Sequence, residues 1–136
     1  MANFNLQIVT PEREFLNSRV ESVTLPGLEG SFGVLANHAP LIAALAPGLV
    51  KVTDNENRDW RIFVGGGFFQ VSKNQAMLLA DSAELAPEID VNRAQESEKR
   101  AVDRLAGKLE AENLQRDRAE ASLARARARI RVSGSR

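Results

Sequence analysis

Pro87-Glu88-Ile89-Asp90 is the seam at which this chain changes character. Before it, short runs rich in valine, isoleucine and phenylalanine are punctuated by glycine. After it, everything from Val91 to Arg136 lacks proline and is built mostly from alanine, arginine, glutamate and leucine. Strand-forming and helix-forming chemistry are thus segregated rather than interleaved, which argues for a compact β unit followed by a helical appendage. The expected division is a β unit over residues 1–86 and a helical unit over residues 87–136. An appendage of this kind can move relative to its host.

A length of 136 residues suits one small domain plus an extension. No apolar run approaches the ~20 residues that a membrane-spanning helix needs. Met1-Ala2-Asn3-Phe4 has no basic region leading into an apolar stretch, so no signal peptide is expected. Cysteine is absent, which excludes disulfides and thiolate metal ligands and fits a reducing compartment. The 18 basic and 18 acidic side chains cancel but are unevenly placed, with the stretch after Gln115 the most basic. The balance gives no case for generic polyanion binding.

Working back from the seam, Phe4, Leu6 and Ile8 alternate with Asn5 and Gln7, the period of a half-buried strand. Thr10-Pro11-Glu12 breaks it. Phe15-Leu16, and then Val20, Val23 and Leu25, predict two further short strands, followed by turn signals at Pro26-Gly27 and Glu29-Gly30. Gly33, inside the run from Phe32 to Leu35, is expected to mark a bulge or a close backbone approach. Pro47-Gly48 reads as a type II turn between strands at Pro40–Leu45 and Leu49–Val52. Asp54-Asn55-Glu56-Asn57 makes a polar hairpin tip, Gly65-Gly66-Gly67 interrupts the next run, and Lys73-Asn74 makes another turn. Many short strands at close spacing indicate an antiparallel sandwich or barrel.

Working forward, Val91 to about Leu109 reads as one helix, and Asn113 or Leu114 to about Val132 as a second. Ala119, Leu123, Ala126 and Ile130 form a continuous apolar stripe. Ala94, Ala101 and Leu105 form another, widened by Val91, Val102 and Leu109. Glu110 to Glu112 is a short link, so the helices should fold back as an antiparallel hairpin. A seam made largely of alanine buries little area and should hold only modestly. Gly107 costs roughly 1 kcal/mol more against helix.

No motif here carries catalysis. The triplet at Gly65 lacks both the dinucleotide-binding and the phosphate-loop spacings, and a structural bend is expected there. His38 is the only histidine, without an acidic or second imidazole partner at ligand spacing, so neither metal binding nor acid–base chemistry is expected. The run Arg125, Arg127, Arg129, Arg131 splits into two stripes on a helix, since a two-residue step turns about 200°. Solvated helix faces, or docking on an acidic protein surface, are favoured there over a nucleic-acid arm, because no aromatic residue follows Phe69 for base stacking. At the seam itself, Asp90 stands where an N-cap belongs, with Ile89 and Ala94 placed as a hydrophobic staple. Arg93, at the third helical position, opposes the helix dipole, which points to a further task. Arg93, Arg100 and Arg104 run beside one apolar seam and Arg118, Arg125 and Arg129 beside the other. If those edges close together, converging guanidinium groups beside a helix N-terminus suit phosphate oxygens; ordinary charge decoration is the alternative.

Leu25-Pro26-Gly27, Gly30, Gly33, Leu35, Asn37-His38-Ala39-Pro40-Leu41 and Pro47-Gly48 resemble the ε subunit of the F-type ATP synthase of bacteria and chloroplasts. Gly65-Gly66-Gly67-Phe68, Leu79-Ala80-Asp81 and Ala83-Glu84 strengthen the likeness, which covers nearly the whole chain. The resemblance implies a ten-stranded antiparallel β-sandwich followed by an antiparallel two-helix hairpin, in a subunit with no catalytic chemistry of its own. It implies a coupling role in proton-driven ATP synthesis. The partners would be the γ subunit, the membrane-embedded c-ring, and the α and β subunits, with no nucleic acid. A loop at Gly30, Ser31, Phe32, Gly33 and His38 would face the c-ring. The helices would permit ATP hydrolysis when folded down and inhibit it when extended, with Arg125, Arg127 and Arg129 meeting acidic β-subunit surface. Some members bind ATP through a motif that stands here as Ile89-Asp90-Val91-Asn92-Arg93-Ala94, joined by Glu84, Arg100, Arg125 and Arg129. ATP is therefore a regulatory ligand to test, and no obligatory cofactor is implied. The setting implied is peripheral, on the cytoplasmic face of a bacterial membrane or the stromal face of a thylakoid, without membrane insertion of its own. A free-standing adaptor whose hairpin joins a partner's coiled coil is the alternative, and a nucleic-acid-binding barrel the third reading.

Overall fold

The computed structural model describes residues 2–107 and 113–134. Seven strands come first: β1 Phe4–Val9, β2 Glu14–Gly27, β3 Gly30–Leu35, β4 Leu41–Asp54, β5 Asp59–Ser72, β6 Gln75–Ala80 and β7 Ala83–Leu85. A single 3-10 turn, Ala86–Glu88, then leads into two helices, α1 Val91–Gly107 and α2 Asn113–Ser133. Leu109 and the expected link at Glu110–Glu112 lie outside the described residues.

The strands are hydrogen-bonded in the order β1-β6-β5-β4-β2-β3, with β7 on β5 and an added β1–β2 pairing. Every pair is antiparallel except β1–β6: β1 folds back antiparallel on β2 and lies parallel to β6 on its other side. The seven strands replace the ten expected from resemblance. β2, β4 and β5 each run 14 residues as single strands of one hydrogen-bonded sheet, so the strands are fewer and longer than expected. β5, for example, pairs with β7 through Ile62–Val64 and with β6 through Gly67–Ser72.

The tip at Asp54–Asn57 and the turn at Lys73-Asn74 stand as expected, while two other expected interruptions lie inside long strands. Pro47 and Gly48 form no type II turn; they pair with Gly65 and Val64 in an unbroken ladder. The triplet does bend the sheet: Gly66 and Gly67 have φ of 104° and 144°, and a Cβ on Gly67 would collide with the carbonyl oxygen of Leu79. Gly33, by contrast, pairs regularly with Thr24 and meets only the Val23 carbonyl oxygen at 3.9 Å, so it is neither a bulge nor a tight crossing. The expected loop at Gly30–His38 is also corrected. Gly27 and Gly30 face each other across the two-residue turn Leu28-Glu29, and the chain returns at once as strand β3.

Alternation along the strands makes the core. Phe4, Leu6, Ile8, Val20, Val23, Leu25, Val50, Val64, Phe69 and Leu78 are sealed from solvent, each contributing roughly 1.5–3 kcal/mol of transfer free energy. Phe32 meets Phe69 edge-on at 6.1 Å between ring centres. The turn at Lys73-Asn74 has φ of 52° and 61°, the mirror-image geometry that matches strand twist. Asn74 then secures the chain after β3, accepting from the Asn37 N–H at 2.6 Å and donating to its side-chain oxygen at 3.0 Å.

The β4–β5 tip is organised by one carboxylate. Asp54 Oδ1 accepts from the backbone N–H groups of Glu56 and Arg58, each at 2.9 Å. Its Oδ2 accepts from Arg58 Nε at 2.9 Å and the Trp60 indole at 3.1 Å. The Arg58 backbone N–H above all, then the Trp60 indole, the Glu56 N–H and the Arg58 guanidinium, outweigh desolvation and hold its pKa at about 2. A depressed folded-state value stabilises above the unfolded value of 3.8 and loses that stabilisation as pH falls toward 2. The stability advantage of the parent chain over Asp54→Asn, measured by urea unfolding, should be constant above about pH 5 and shrink steadily between pH 4 and pH 2. An advantage independent of pH over that window would disprove the role of the charge.

Candidate functional site

The helical unit begins with a cap. Asp90 Oδ1 accepts the Arg93 backbone N–H at 3.0 Å, and the Ala94 N–H bonds the Asp90 carbonyl at 3.0 Å. Both expected staple residues, Ile89 and Ala94, are buried. The seam between α1 and α2 is closed by Ala94, Ala101, Ala119 and Ala126, with Leu105, Leu123 and Ile130 half-buried beside them. Val102 does not widen it and is 38% exposed. The helices run antiparallel: Glu98 meets Arg127 at 3.1 Å, while the earlier Gln95 shares a surface cleft with the later Ile130 and Arg131.

α2 carries a second apolar face that the stripe analysis did not separate from the first. Ala128 and Val132, one turn apart, pack with Phe63, Ala86 and Ile89 into a small cluster of their own, with Leu49 at its margin. α2 therefore lies between α1 and the strands β4 and β5, while α1 packs almost wholly on α2. The signal was present in the four-residue step from Ala128 to Val132, but intervening arginines mask it. Arg129, between them, closes this clasp from the side. Its Nε is 2.6 Å from Glu84 Oε1 on β7, and its guanidinium lies 4.5 Å from the centre of the Phe63 ring.

Next to the clasp opens a cleft of about 420 Å³ lined by Glu84, Glu88, Asp90, Arg93, Ala94, Ser97 and Arg129. Five of the residues singled out from the sequence as a nucleotide set meet here: Glu84, Asp90, Arg93, Ala94 and Arg129. Ile89 is instead buried in the clasp. Arg100 stands one turn further along α1, donating to Ser97 Oγ at 3.1 Å. Arg125 lies outside the cleft; its guanidinium donates to Ser122 Oγ at 3.3 Å, and its Cδ is 3.5 Å from where a Cβ on Gly65 would stand. Of the two arginine rows, only Arg93 and Arg129 line this cleft. Asp90 is engaged by the cap and Glu84 by Arg129, whereas the Arg93 guanidinium has no carboxylate within ion-pair distance among the described residues. No cluster of His, Cys, Asp or Glu with metal-holding geometry occurs among the described residues.

The basic stripe is partly committed in this arrangement, Arg127 to Glu98 and Arg129 to Glu84. Ser31, Phe32 and Gly33 lie in the edge strand β3, and half-buried His38 has Nδ1 2.6 Å from the Ala39 carbonyl oxygen. A further surface escaped the sequence analysis. Ile42, Phe68 and Leu79 are 77%, 60% and 49% exposed, and the ladder places Ala44, Phe68 and Leu79 side by side across β4, β5 and β6. Alternation shows which residues share a face; it does not show which face stays open.

Residues 3–86 match the family described as the ATP synthase delta/epsilon chain, β-sandwich domain, and residues 88–134 match its long α-helix domain. An ATP synthase epsilon chain of Moorella thermoacetica is 43% identical over 135 residues, covering 99% of each chain. One of Nitratidesulfovibrio vulgaris is 44% identical over 133 residues, covering 98% of this chain and 97% of its own. In fold, a chain of the Euglena gracilis mitochondrial ATP synthase superimposes with a TM-score of 0.80 at 23% identity, over 94% of this chain and 79% of its own. A chain of the Tetrahymena thermophila enzyme gives 0.70 at 15% identity, over 95% of both.

If the clasp holds the hairpin, Val132→Asp should speed amide exchange throughout α2 while leaving the strands protected. A double-mutant cycle on Glu84 and Arg129 should give a coupling of roughly 1 kcal/mol, the discounted value for a half-exposed ion pair. Uniform exchange changes across strands and helices would show instead that the two units unfold together.

Proposed function

The chain belongs to the ATP synthase delta/epsilon family, and from that membership we propose that its hairpin is a releasable brake on ATP hydrolysis, carried by a sandwich docked on the rotor. Its place is that of an epsilon chain, a non-catalytic subunit of the complex. Family membership supersedes the free-standing adaptor and the nucleic-acid barrel. In this reading the sandwich binds the γ subunit and the c-ring, coupling proton movement to synthesis, and the released helices run along γ toward the α and β subunits. The apolar stripe Ala44, Phe68 and Leu79 serves as the γ-docking face, and Ser31 to His38 point toward the c-ring. The related folds come from structures described as containing a c-ring and F1 or central-stalk parts, which supports these partners. No helix among the described residues is long and apolar enough to cross a membrane. The subunit sits peripherally through the complex, on the cytoplasmic face of a bacterial membrane or the stromal face of a thylakoid.

The observation that carries the reading is the smallness of the clasp. The hairpin rests on the sandwich through Ala128, Val132 and Arg129, against Phe63, Ala86, Ile89 and Glu84. That is little area, and a partner surface offering similar contacts can replace it. Release would free Arg129 from Glu84, and separation of the two helices would free Arg127 from Glu98, so that both could join Arg125 on an acidic β-subunit surface. Removing residues after Glu88 should leave assembly into the complex intact and raise ATPase activity several-fold. Unchanged hydrolysis in the assembled truncated complex would refute the brake.

A second reading concerns the cleft. Its walls come from β7, the turn before α1, and both helices, so it exists only while the hairpin is docked. Arg93, the Ser97 hydroxyl and the α1 N-terminus offer donors for phosphate oxygens, and Glu84 and Glu88 offer acceptors for a base. ATP as a regulatory ligand fits this set, and its binding would favour the docked form by its differential affinity alone. Calorimetric titration of the isolated chain with ATP should show one saturable site that Arg93→Ala and Arg129→Ala each weaken about tenfold or more. Absence of saturable binding at millimolar ATP would eliminate the site.

A further inference from the structure

From Gly30 to Val50 the chain carries no Asp, Glu, Lys or Arg, although such residues make up 26% of the whole. This uncharged stretch forms two open sheet edges. Among the described residues β3 pairs only with β2. The start of β4, Leu41–Ala43, pairs among them only with β5, since strand pairing with β2 begins at Leu45 and the turn reaches β4 at Ala44. Proteins ordinarily guard such edges with lysine, proline or an inward charge; here Pro40 precedes the β4 edge and Glu29 stands in the turn between β2 and β3, but Leu41–Ala44 itself carries neither proline nor charge. The two edges bound a notch of about 400 Å³ lined by Leu28, Glu29, Phe32, Leu41, Ile42 and Ala44, among others.

The backbone polarity of the β4 edge follows from one bond. The Leu28 N–H donates to the Ala44 carbonyl at 3.2 Å, so Ala44 turns its peptide groups away from β5. In an antiparallel ladder this orientation repeats every second residue. Ile42 therefore also directs its N–H and C=O outward, and no strand among the described residues receives them. Its side chain is 77% exposed, and it adjoins the apolar stripe of Ala44, Phe68 and Leu79.

We propose that the Leu41–Ala44 edge of β4 is a strand-addition site: a partner chain in the ATP synthase lays an extended, apolar segment against it, bonding to the N–H and C=O of Ile42. Such pairing supplies main-chain hydrogen bonds for affinity and side-chain contacts for selectivity. The occupant is uncharged where it meets Leu41, Ile42 and Phe32, and carries a lysine or arginine opposite Glu29. It continues onto the apolar stripe, so the inference rests on the docking-face reading and adds to it a backbone-specific contact.

Proline at position 42 isolates that contact. It deletes the outward N–H, which β5 does not use, and edge strands tolerate it. Ile42→Ala trims the same side chain but keeps the donor. Binding to an ATP synthase preparation stripped of this chain should be about tenfold weaker for Ile42→Pro than for Ile42→Ala. Equal affinity for the two, with Phe68→Ala and Leu79→Ala still weakening binding, overturns strand addition and leaves the docking face standing. No effect at any of these positions removes both. Dimerisation of the isolated chain that Ile42→Pro abolishes reassigns the edge to a second copy and also overturns the proposal. Should the proline variant fold poorly, hydrogen exchange on the parent complex decides: the Ile42 amide must become protected on assembly, and an Ile42 amide that stays unprotected sinks the idea.

Discussion

Burial of one face of α2 against the sandwich is the contact on which the arrangement of the whole molecule depends. The sandwich has its own core, and the two helices have their own seam; among the described residues, five buried side chains, Phe63, Ala86, Ile89, Ala128 and Val132, join the two bodies hydrophobically, with half-buried Leu49 at their margin. Two of those five are alanines, with little side chain to bury. Full burial of a valine or isoleucine is worth roughly 1.5–3 kcal/mol, and such area estimates are upper bounds. The docked state is therefore favoured by an amount that another protein surface can match. A larger cluster would hold the hairpin more firmly and make it a poor moving part.

The architecture was legible because its two chemistries are separated in the chain. Period-two alternation located the core of β1, and Asp90 announced the start of α1. Strand number was harder to extract. Pro47-Gly48 and Gly65-Gly66-Gly67 resemble terminators locally, yet each sits opposite the other in one ladder, so both strands bend together and continue. That pairing is a long-range fact that neither segment discloses alone. Likewise Gly27 and Gly30 look like parts of a loose glycine loop, but facing each other they close a two-residue turn and start a strand.

For the cleft, the sequence supplied the correct neighbourhood but not the geometry. Spacing alone placed Arg93, Arg100 and Arg104 on one helical edge and Arg118, Arg125 and Arg129 on another. The fold-back itself was expected; what spacing could not supply was which side of the hairpin meets β7, and hence that only Arg93 and Arg129 of the two rows line the cleft with Glu84. Nor could helical periodicity assign α2 two partners. A helix wedged between a second helix and a sheet has apolar positions on two sides, which blurs the single stripe the eye seeks. Alanines at both seams, Ala126 on one and Ala128 on the other, are what let α2 approach two neighbours at once.

Arg129 joins the clasp to the cleft, and its position sets how strongly one can influence the other. It is held by Glu84 and lies over Phe63 while also forming part of the cleft wall. An anion entering the cleft must share this guanidinium with Glu84 or draw it away, so some of the ligand's attraction is spent on an interaction that already exists. Arg93, which has no ion-pair partner among the described residues, carries no such cost and is the better anchor for phosphate. A ligand present at a hundred times its Kd adds about 2.7 kcal/mol to the form that binds it. That is comparable with burying one of the clasp's larger side chains. Weak docking thus makes the hairpin responsive to modest binding energies, from a small ligand within the cleft or from a protein surface outside it.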